Sequence, residues 1–234
     1  MKTEQLPRWA GACTPAVLLS ALAGFAAADV TPYQRMAPLE QYLMPPGSEI
    51  ALARSAAPPA ISDKATVLTL DAQGYQTAVR GTNGFTCLVE RSWMAPFDSP
   101  DFWNPKIRGP VCYNPAASGS ILTYTLRRTK LALAGDSRES ILDAVRAALA
   151  RNEIPSPEPG AMSFMLSKDG YLSDADNHWH PHLMFHVPKS TAASWGANLP
   201  GSPVVLDDRE VPEPQTIFMV PVSRWSDGTM AATH

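Results

Sequence analysis

The stretch ATVLTLDAQGYQTAVRGTNGFTCLVERSW, residues 65–93, decides the fold that the sequence predicts. From Val67 to Leu70, β-branched residues alternate with leucines, which is the period of a half-buried strand. Ala72-Gln73-Gly74 indicates a turn. Thr82-Asn83-Gly84 separates two further β-rich runs, and Asn-Gly in that position favours a hairpin. We therefore expect an N-terminal meander of three antiparallel strands.

Two central helices should follow this meander. Asn114-Pro115 is typical of a helix start, with proline at the first helical position, and the pattern continues to Leu133. Asp136 and Glu139 have the spacing of a capping box at the start of a second helix.

Strand patterns return in the last third of the chain, at residues 161–167 and 182–187 and in the runs PVVLD and TIFMVPV, residues 203–222. An order of strands, helices and strands predicts an α+β domain. Its largely antiparallel sheet would join the N-terminal meander to the C-terminal strands, with the two central helices packed on it. Residues 29–234 are enough for a single domain of this kind.

The first 28 residues have the features of a secretory signal peptide. Lys2 and Arg8 precede an apolar run, residues 14–28, that is shorter than the ~20 residues of a membrane-spanning helix. Ala26-Ala27-Ala28 offers a small-residue cleavage pattern. We expect cleavage after Ala28 and export to the periplasm or the cell exterior, with no transmembrane segment afterwards. The alternative is an uncleaved N-terminal anchor.

Cleavage would leave two cysteines, Cys87 and Cys112. In an oxidising compartment such a pair most simply forms one disulfide. Two free buried thiols or a pair of metal ligands are the alternatives.

The net charge and the absence of certain motifs give no support to nucleic-acid binding, nucleotide binding or serine hydrolysis. The net charge is −3 and no basic run is present, so a nucleic-acid partner is not expected. The chain lacks a GxSxG elbow, a P-loop and a GxGxxG motif, so nucleotide binding and serine hydrolysis have no local sequence support. A serine–histidine arrangement assembled from distant residues stays open.

Four of the five histidines fall in HWHPHLMFH, residues 178–186. All four, together with Met184, occupy even positions, whereas the odd positions are apolar. Because successive side chains of a strand point to opposite faces, an extended segment would place the imidazoles and the thioether on one face.

This row predicts a transition-metal site for zinc or copper. Same-face neighbours on a strand are ~6.6 Å apart, so one strand supplies two or three ligands at most. The candidate ligands are His178, His180, His182, His186 and Asp176. His180 and His182 are the central pair, and His186 with Met184 would suit copper. The alternatives are the polar face of an edge strand, histidines hydrogen-bonded within the core, and an interface with another protein.

Three functions are compatible with these features, and the sequence does not settle whether the protein is an enzyme. The first is a secreted protein that binds zinc or copper for structure, storage or delivery. The second is a metal-assisted hydrolase with the same ligands and a base such as Asp174, Asp176 or Glu90. The third is a non-catalytic domain that binds another protein or a small ligand.

The third function would use the histidine face and the proline- and aromatic-rich segment 94–110. A loop of that length either packs on the core as a lid or captures a ligand. Four methionines on predicted strands would line an adaptable pocket or fill the core. They are Met162, Met165, Met184 and Met219.

Overall fold

The computed structural model describes residues 33–175, 180–206 and 215–231. The predicted signal segment and two of the predicted metal ligands, Asp176 and His178, lie outside the described residues. Within the described part of the chain, no helix is long and apolar enough to cross a bilayer.

The described strands form one eight-stranded sheet. They are β1 (Thr66–Asp71), β2 (Gly74–Val79), β3 (Thr86–Glu90), β4 (Gly109–Tyr113), β5 (Met162–Met165), β6 (His182–Pro188), β7 (Val204–Val205) and β8 (Gln215–Pro221). The order is β2-β1-β3-β4-β5-β6-β8-β7, and every neighbouring pair except β1 and β3 is antiparallel. The chain is thus an α+β protein with a mostly antiparallel sheet.

The predicted three-strand meander is wrong in its last step. β2 pairs with β1 through the expected turn, but β3 returns to the other edge of β1 and runs parallel to it. The connection from β2 to β3 passes close to β1 at Gly81, where an added Cβ would lie 2.1 Å from the backbone nitrogen of Thr66. Asn83 then donates from Nδ2 to the Ile61 carbonyl at 2.8 Å. The Asn-Gly pair therefore belongs to a crossover and not to a hairpin.

Cys87 and Cys112 form a disulfide, as predicted. The two cysteines lie directly opposite each other on β3 and β4, with their Cα atoms 4.0 Å apart. The sequence interpretation missed β4 itself, because Gly109 and Pro110 open it and mark a loop in most contexts.

The helices are α1 (Pro46–Arg54), α2 (Pro59–Ser62), α3 (Pro115–Gly119), α4 (Ile121–Leu133) and α5 (Arg138–Ala150). Short 3-10 turns lie at Leu39–Gln41, Ser92–Met94 and Lys189–Trp195. Asn114 caps α3 as predicted, because its side chain accepts from the Ala117 backbone N–H at 2.9 Å. The predicted first helix is divided in two at Ser120, and Ser137 rather than Asp136 caps α5.

Helices cover both faces of the N-terminal half of the sheet. Ala53 of α1, with Ala56 and Ala57 just after the helix, packs with Val67, Val89 and the disulfide on one face. On the other face, Ile121 and Leu122 of α4 pack against Leu88 and neighbouring apolar residues of β3 and β4. Helix α5 packs on α4. The two predicted central helices thus lie on the same side of the molecule, above the strand face that includes Tyr113.

The segment 94–110 is a packed cover. Phe97, Phe102 and Trp103 are buried in the cluster that also contains Tyr42 and Trp93. Phe102 and Trp103 meet edge to face, with ring centroids 4.7 Å apart. The aromatic side chains thus fix this cover in place beside α4.

Candidate functional site

A pocket of about 430 Å³ lies between the sheet, α4 and the 94–110 cover. Strands β4, β5, β6 and β8 supply one wall, and α4 and the cover supply the other. The strand wall carries Tyr113, Met165, His182, Met184, His186, Gln215, Ile217 and Met219. The opposite wall includes Met94, Pro96, Ile107, Ile121, Tyr124, Thr125 and Arg128. The exposed lining is mostly apolar, and polar side chains lie on both walls, including His182 and His186 on the strands and Asp101, Thr125 and Arg128 opposite them.

The even-numbered residues of β6 share one face, as the sequence predicts. His182, Met184 and His186 all contribute to the pocket wall. The burial is the reverse of that expected for a polar outer face. His182 and His186 are 7% and 4% exposed, whereas Phe185, from the apolar odd face, is 36% exposed. The histidine face is therefore the covered side of this strand.

His186 takes part in a hydrogen-bonded row across three strands. Its Nε2 lies 2.9 Å from Ser163 Oγ on β5, and its Nδ1 bonds Gln215 Oε1 on β8. An amide oxygen can only accept, so the proton of the imidazole is on Nδ1. Nε2 then accepts the Ser163 hydroxyl proton. Burial lowers the pKa of His186 to about 4, so the ring is neutral near pH 7.

His182 is held by a different contact. Its Nδ1 lies 2.9 Å from the His180 carbonyl oxygen and donates to it. Burial also lowers the pKa of His182. Two neutral imidazoles therefore face the pocket.

The predicted metal shell is not assembled by the residues that the structure describes. Among them, no three histidine, cysteine, aspartate or glutamate side chains are grouped so that they could hold an ion. Both ring nitrogens of His186 bond within the protein, and His180 is exposed outside the strand. Asp176 and His178 lie outside the described residues, so the zinc or copper site stays a prediction.

A second polar cluster, formed by Glu90, Tyr113 and Thr125, lies on the same strand wall and α4. The Tyr113 hydroxyl donates to Glu90 Oε1 at 2.6 Å, and the Thr125 hydroxyl lies 3.1 Å from the Tyr113 hydroxyl. Burial, with the nearby Glu90 carboxylate, holds the pKa of Tyr113 well above its usual value. The Tyr113 and His186 rings are 6.4 Å apart, so this cluster adjoins the histidine row. Glu90, predicted as a possible base, thus lies in the pocket wall with two hydroxyl donors.

The cationic side chains of the pocket help to build its walls. The Arg128 guanidinium lies 4.1 Å from the centre of the Phe97 ring and donates to the Ala95 carbonyl at 2.7 Å. Arg91 pairs with Glu49 at 2.7 Å, and both side chains are fully buried. The Arg128 contacts anchor the cover to α4, and the Arg91–Glu49 pair joins the end of β3 to α1.

Asp174, predicted as a possible base, bonds side chains at the surface. Its carboxylate accepts from Tyr33 at 2.6 Å, from Tyr171 and from Lys106 at 3.2 Å. Hydrogen bonds from Tyr171 and Tyr33 hold the pKa of Asp174 well below its usual range. It therefore connects the segment that follows β5 to Tyr33 and to Lys106 of the 94–110 cover.

Sequence reasoning found one side of this site and missed its partners. Of the four methionines predicted to line a pocket or fill the core, Met165, Met184 and Met219 line the pocket, and Met165 also belongs to a buried core cluster. Ser163 and Gln215 were missed, although each is a polar residue next to an apolar strand run, a signal that singles out buried polar positions. No known family, curated protein or solved structure matches this chain in the comparisons.

Proposed function

We propose that this protein binds a small, mostly apolar ligand in the pocket between the histidine face of the sheet, α4 and the 94–110 cover. The supporting observation is the pocket itself. Its volume of about 430 Å³ falls in the range of roughly 300–1,000 Å³ that is typical of small-molecule sites. This proposal takes up the small-ligand binding among the functions compatible with the sequence.

The lining favours an adaptable apolar contact. Met94, Met165, Met184 and Met219 contribute to its two walls. Methionine is unbranched and polarizable, so such a surface adjusts to ligands of different shape. A tightly packed core would fill this volume, since interiors leave few voids larger than a water molecule.

Polar groups lie on both walls, and the strand wall carries the uncharged imidazoles that would orient a ligand. His182 and the His186–Gln215 pair lie on the strand side, next to the Tyr113 hydroxyl. Their imidazoles are neutral, because burial lowers both pKa values. We expect a ligand with an uncharged hydrogen-bonding group that faces the strands and an apolar body that faces α4 and the cover.

A fluorescent apolar probe tests this proposal. Nile red should bind the wild-type protein at one saturable site. Met184→Trp should abolish binding by filling the pocket. Met162→Trp is the matched control, because Met162 is also half-buried but lies opposite Phe185, which places it on the other face of the sheet. Equal binding by both variants would place the probe elsewhere and contradict the proposal.

Export is part of the proposal. The disulfide between Cys87 and Cys112 is of the kind that persists in oxidising compartments. Fusion of residues 1–28 to a reporter that is active only after export tests the signal segment. A reporter that stays in the cytoplasm would contradict it.

A metal site is a separate proposal with a defined composition. It would combine His180 and His182 with Asp176 or His178. Elemental mass spectrometry of residues 29–234 should then show about one zinc or copper per chain, lost in the double variant His180→Ala/His182→Ala. Equal metal content in the two proteins would exclude these ligands.

A further inference from the structure

We propose that Ser163 is a nucleophile that accepts an acyl group from an ester bound in the pocket, with His186 as its general base and Gln215 as the residue that positions the base. The inference rests on the proposed ligand pocket and adds the class of ligand that reacts there, a carboxylic ester with an apolar body.

The connectivity of the three side chains is that of an activated serine. The Ser163 hydroxyl donates to His186 Nε2 at 2.9 Å, and Nδ1–H donates to Gln215 Oε1. In serine nucleophiles, the base takes the hydroxyl proton and a third group fixes its tautomer and orientation. Gln215 performs the third role here with an amide oxygen. The arrangement comes from three strands far apart in sequence, which is why no local motif shows it.

The strand register explains how the row forms. Ser163 pairs with Met184 on β6, and His186 pairs with Ile217 on β8, so the hydrogen bonds run diagonally across the sheet. Ser163 and His186 are 0% and 4% exposed. Burying such polar groups without hydrogen bonds costs about 1–3 kcal/mol each. The hydrogen bonds of the row offset this cost and hold the three side chains in one arrangement.

The reaction balances with groups already present. Ser163 Oγ forms a bond to the carbonyl carbon while its proton moves to His186 Nε2. The tetrahedral intermediate then expels the alkoxide, which takes the proton from Nε2 and leaves as an alcohol. The product is an acyl ester on Ser163, and hydrolysis by one water molecule would return the serine and a carboxylic acid. The Nδ1–H bond to Gln215 is retained throughout.

Access to Ser163 sets the expected kinetics. His186 and Gln215 contribute to the pocket wall, whereas Ser163 lies beneath them with no exposed surface. Met184, its register partner, is half-buried and lines the pocket, and we expect its flexible side chain to move when a carbonyl group enters. An acyl group attached there would be shielded from water. We therefore expect acylation to exceed deacylation, so that the acyl form accumulates.

Intact mass spectrometry after incubation with p-nitrophenyl butyrate tests the inference. The wild-type protein should gain one butyryl group, and peptide mapping should locate it on Ser163. Ser163→Ala should lose the adduct. Ser167→Ala is the matched control, since Ser167 is also buried but bonds Ser55 instead of a histidine, and it should keep the adduct. No adduct on the wild type, or an unchanged adduct in Ser163→Ala, would overturn the proposal.

The role of Gln215 has its own readout. Gln215→Glu keeps an acceptor for Nδ1–H and should retain acylation, whereas Gln215→Leu should slow it at least tenfold. Nile red binding, measured on the same proteins, reports the pocket independently. Probe binding without acylation would overturn the assignment of Ser163 as a nucleophile and leave the proposed ligand pocket standing. Acylation of Ser163 without probe binding would instead overturn the proposed preference for apolar ligands. Equal acylation of the Glu and Leu variants would remove Gln215 from the mechanism.

Discussion

Acid should destabilise the fold through the buried imidazole of His186. Burial lowers the pKa of this group to about 4 in the folded protein, against 6.5 for an ordinary histidine. Between these values the unfolded chain binds a proton that the folded chain does not. The free energy of unfolding therefore falls as the pH decreases from about 6.5 to about 4, and this contribution does not change further at lower pH.

The magnitude follows from the two pKa values. One pKa unit of difference corresponds to about 1.4 kcal/mol, so protonation at His186 removes roughly 3 kcal/mol over the whole window. About 2 kcal/mol of this is already lost at about pH 5. The pKa of His182 is also lowered by burial, so it acts in the same direction.

Urea unfolding at pH 7 and pH 5 isolates the His186 contribution. Replacing His186 by Gln removes its titration, so the stability advantage of the wild type over His186→Gln should shrink by about 2 kcal/mol at the lower pH. Protonation of carboxylates affects both proteins alike and cancels. His180→Gln, a change at an exposed position, should keep the wild-type pH dependence. A wild type and His186→Gln that lose the same stability between the two pH values would refute the reasoning.

Two further predictions concern the frame that holds the site. Glu49→Ala should lower the free energy of unfolding by about 3–5 kcal/mol, because it leaves the fully buried Arg91 without its carboxylate. Urea denaturation measures this loss, and a change below 1 kcal/mol, on the order of a surface ion pair, would contradict it. Gly81→Ala should cost about 3 kcal/mol or more, because its Cβ would collide with the Thr66 backbone. Gly47→Ala is the control, since nothing lies within 4 Å of the added atom in α1, and its melting temperature should not fall.

Local patterns predicted the elements that depend on local information. The presence of strands β1 and β6 and the Asn114 cap needed only neighbouring residues, and the structure confirms them. The half-buried character predicted for β1 is wrong, because Val67 and Leu68, on opposite faces, are both buried. The parallel pairing of β1 with β3 depends on a close approach at Gly81 that no periodicity records. Strand β4 escaped for a related reason: it is buried throughout and begins Gly-Pro, so it lacks the alternation of a half-buried strand.

The candidate site could be predicted only in part, because its two walls are non-local. Parity placed His182, Met184 and His186 on one face, but it did not say which face the helices cover. The covered face is determined by α4 and the 94–110 cover, which are distant from β6 in the sequence but pack over its even face. The partners of His186, Ser163 and Gln215, come from β5 and β8. The sequence shows that these residues are polar, but it does not show that both bond to His186.

The choice of covered face is itself an argument for function. Strand β6 has an apolar odd face and a histidine-bearing even face, and simple burial of apolar area would cover the odd one. Instead Phe185 is 36% exposed while the two histidines are almost completely buried. Covering the polar face requires hydrogen bonds to offset the loss of water: Ser163 donates to His186, and the Gln215 amide oxygen and the His180 carbonyl accept from the two rings. A pocket of about 430 Å³ remains above these groups. Real proteins depart from the simplest packing pattern mainly at functional sites, so this inversion, together with the open volume, favours a site that acts on a ligand over a face that only completes the core.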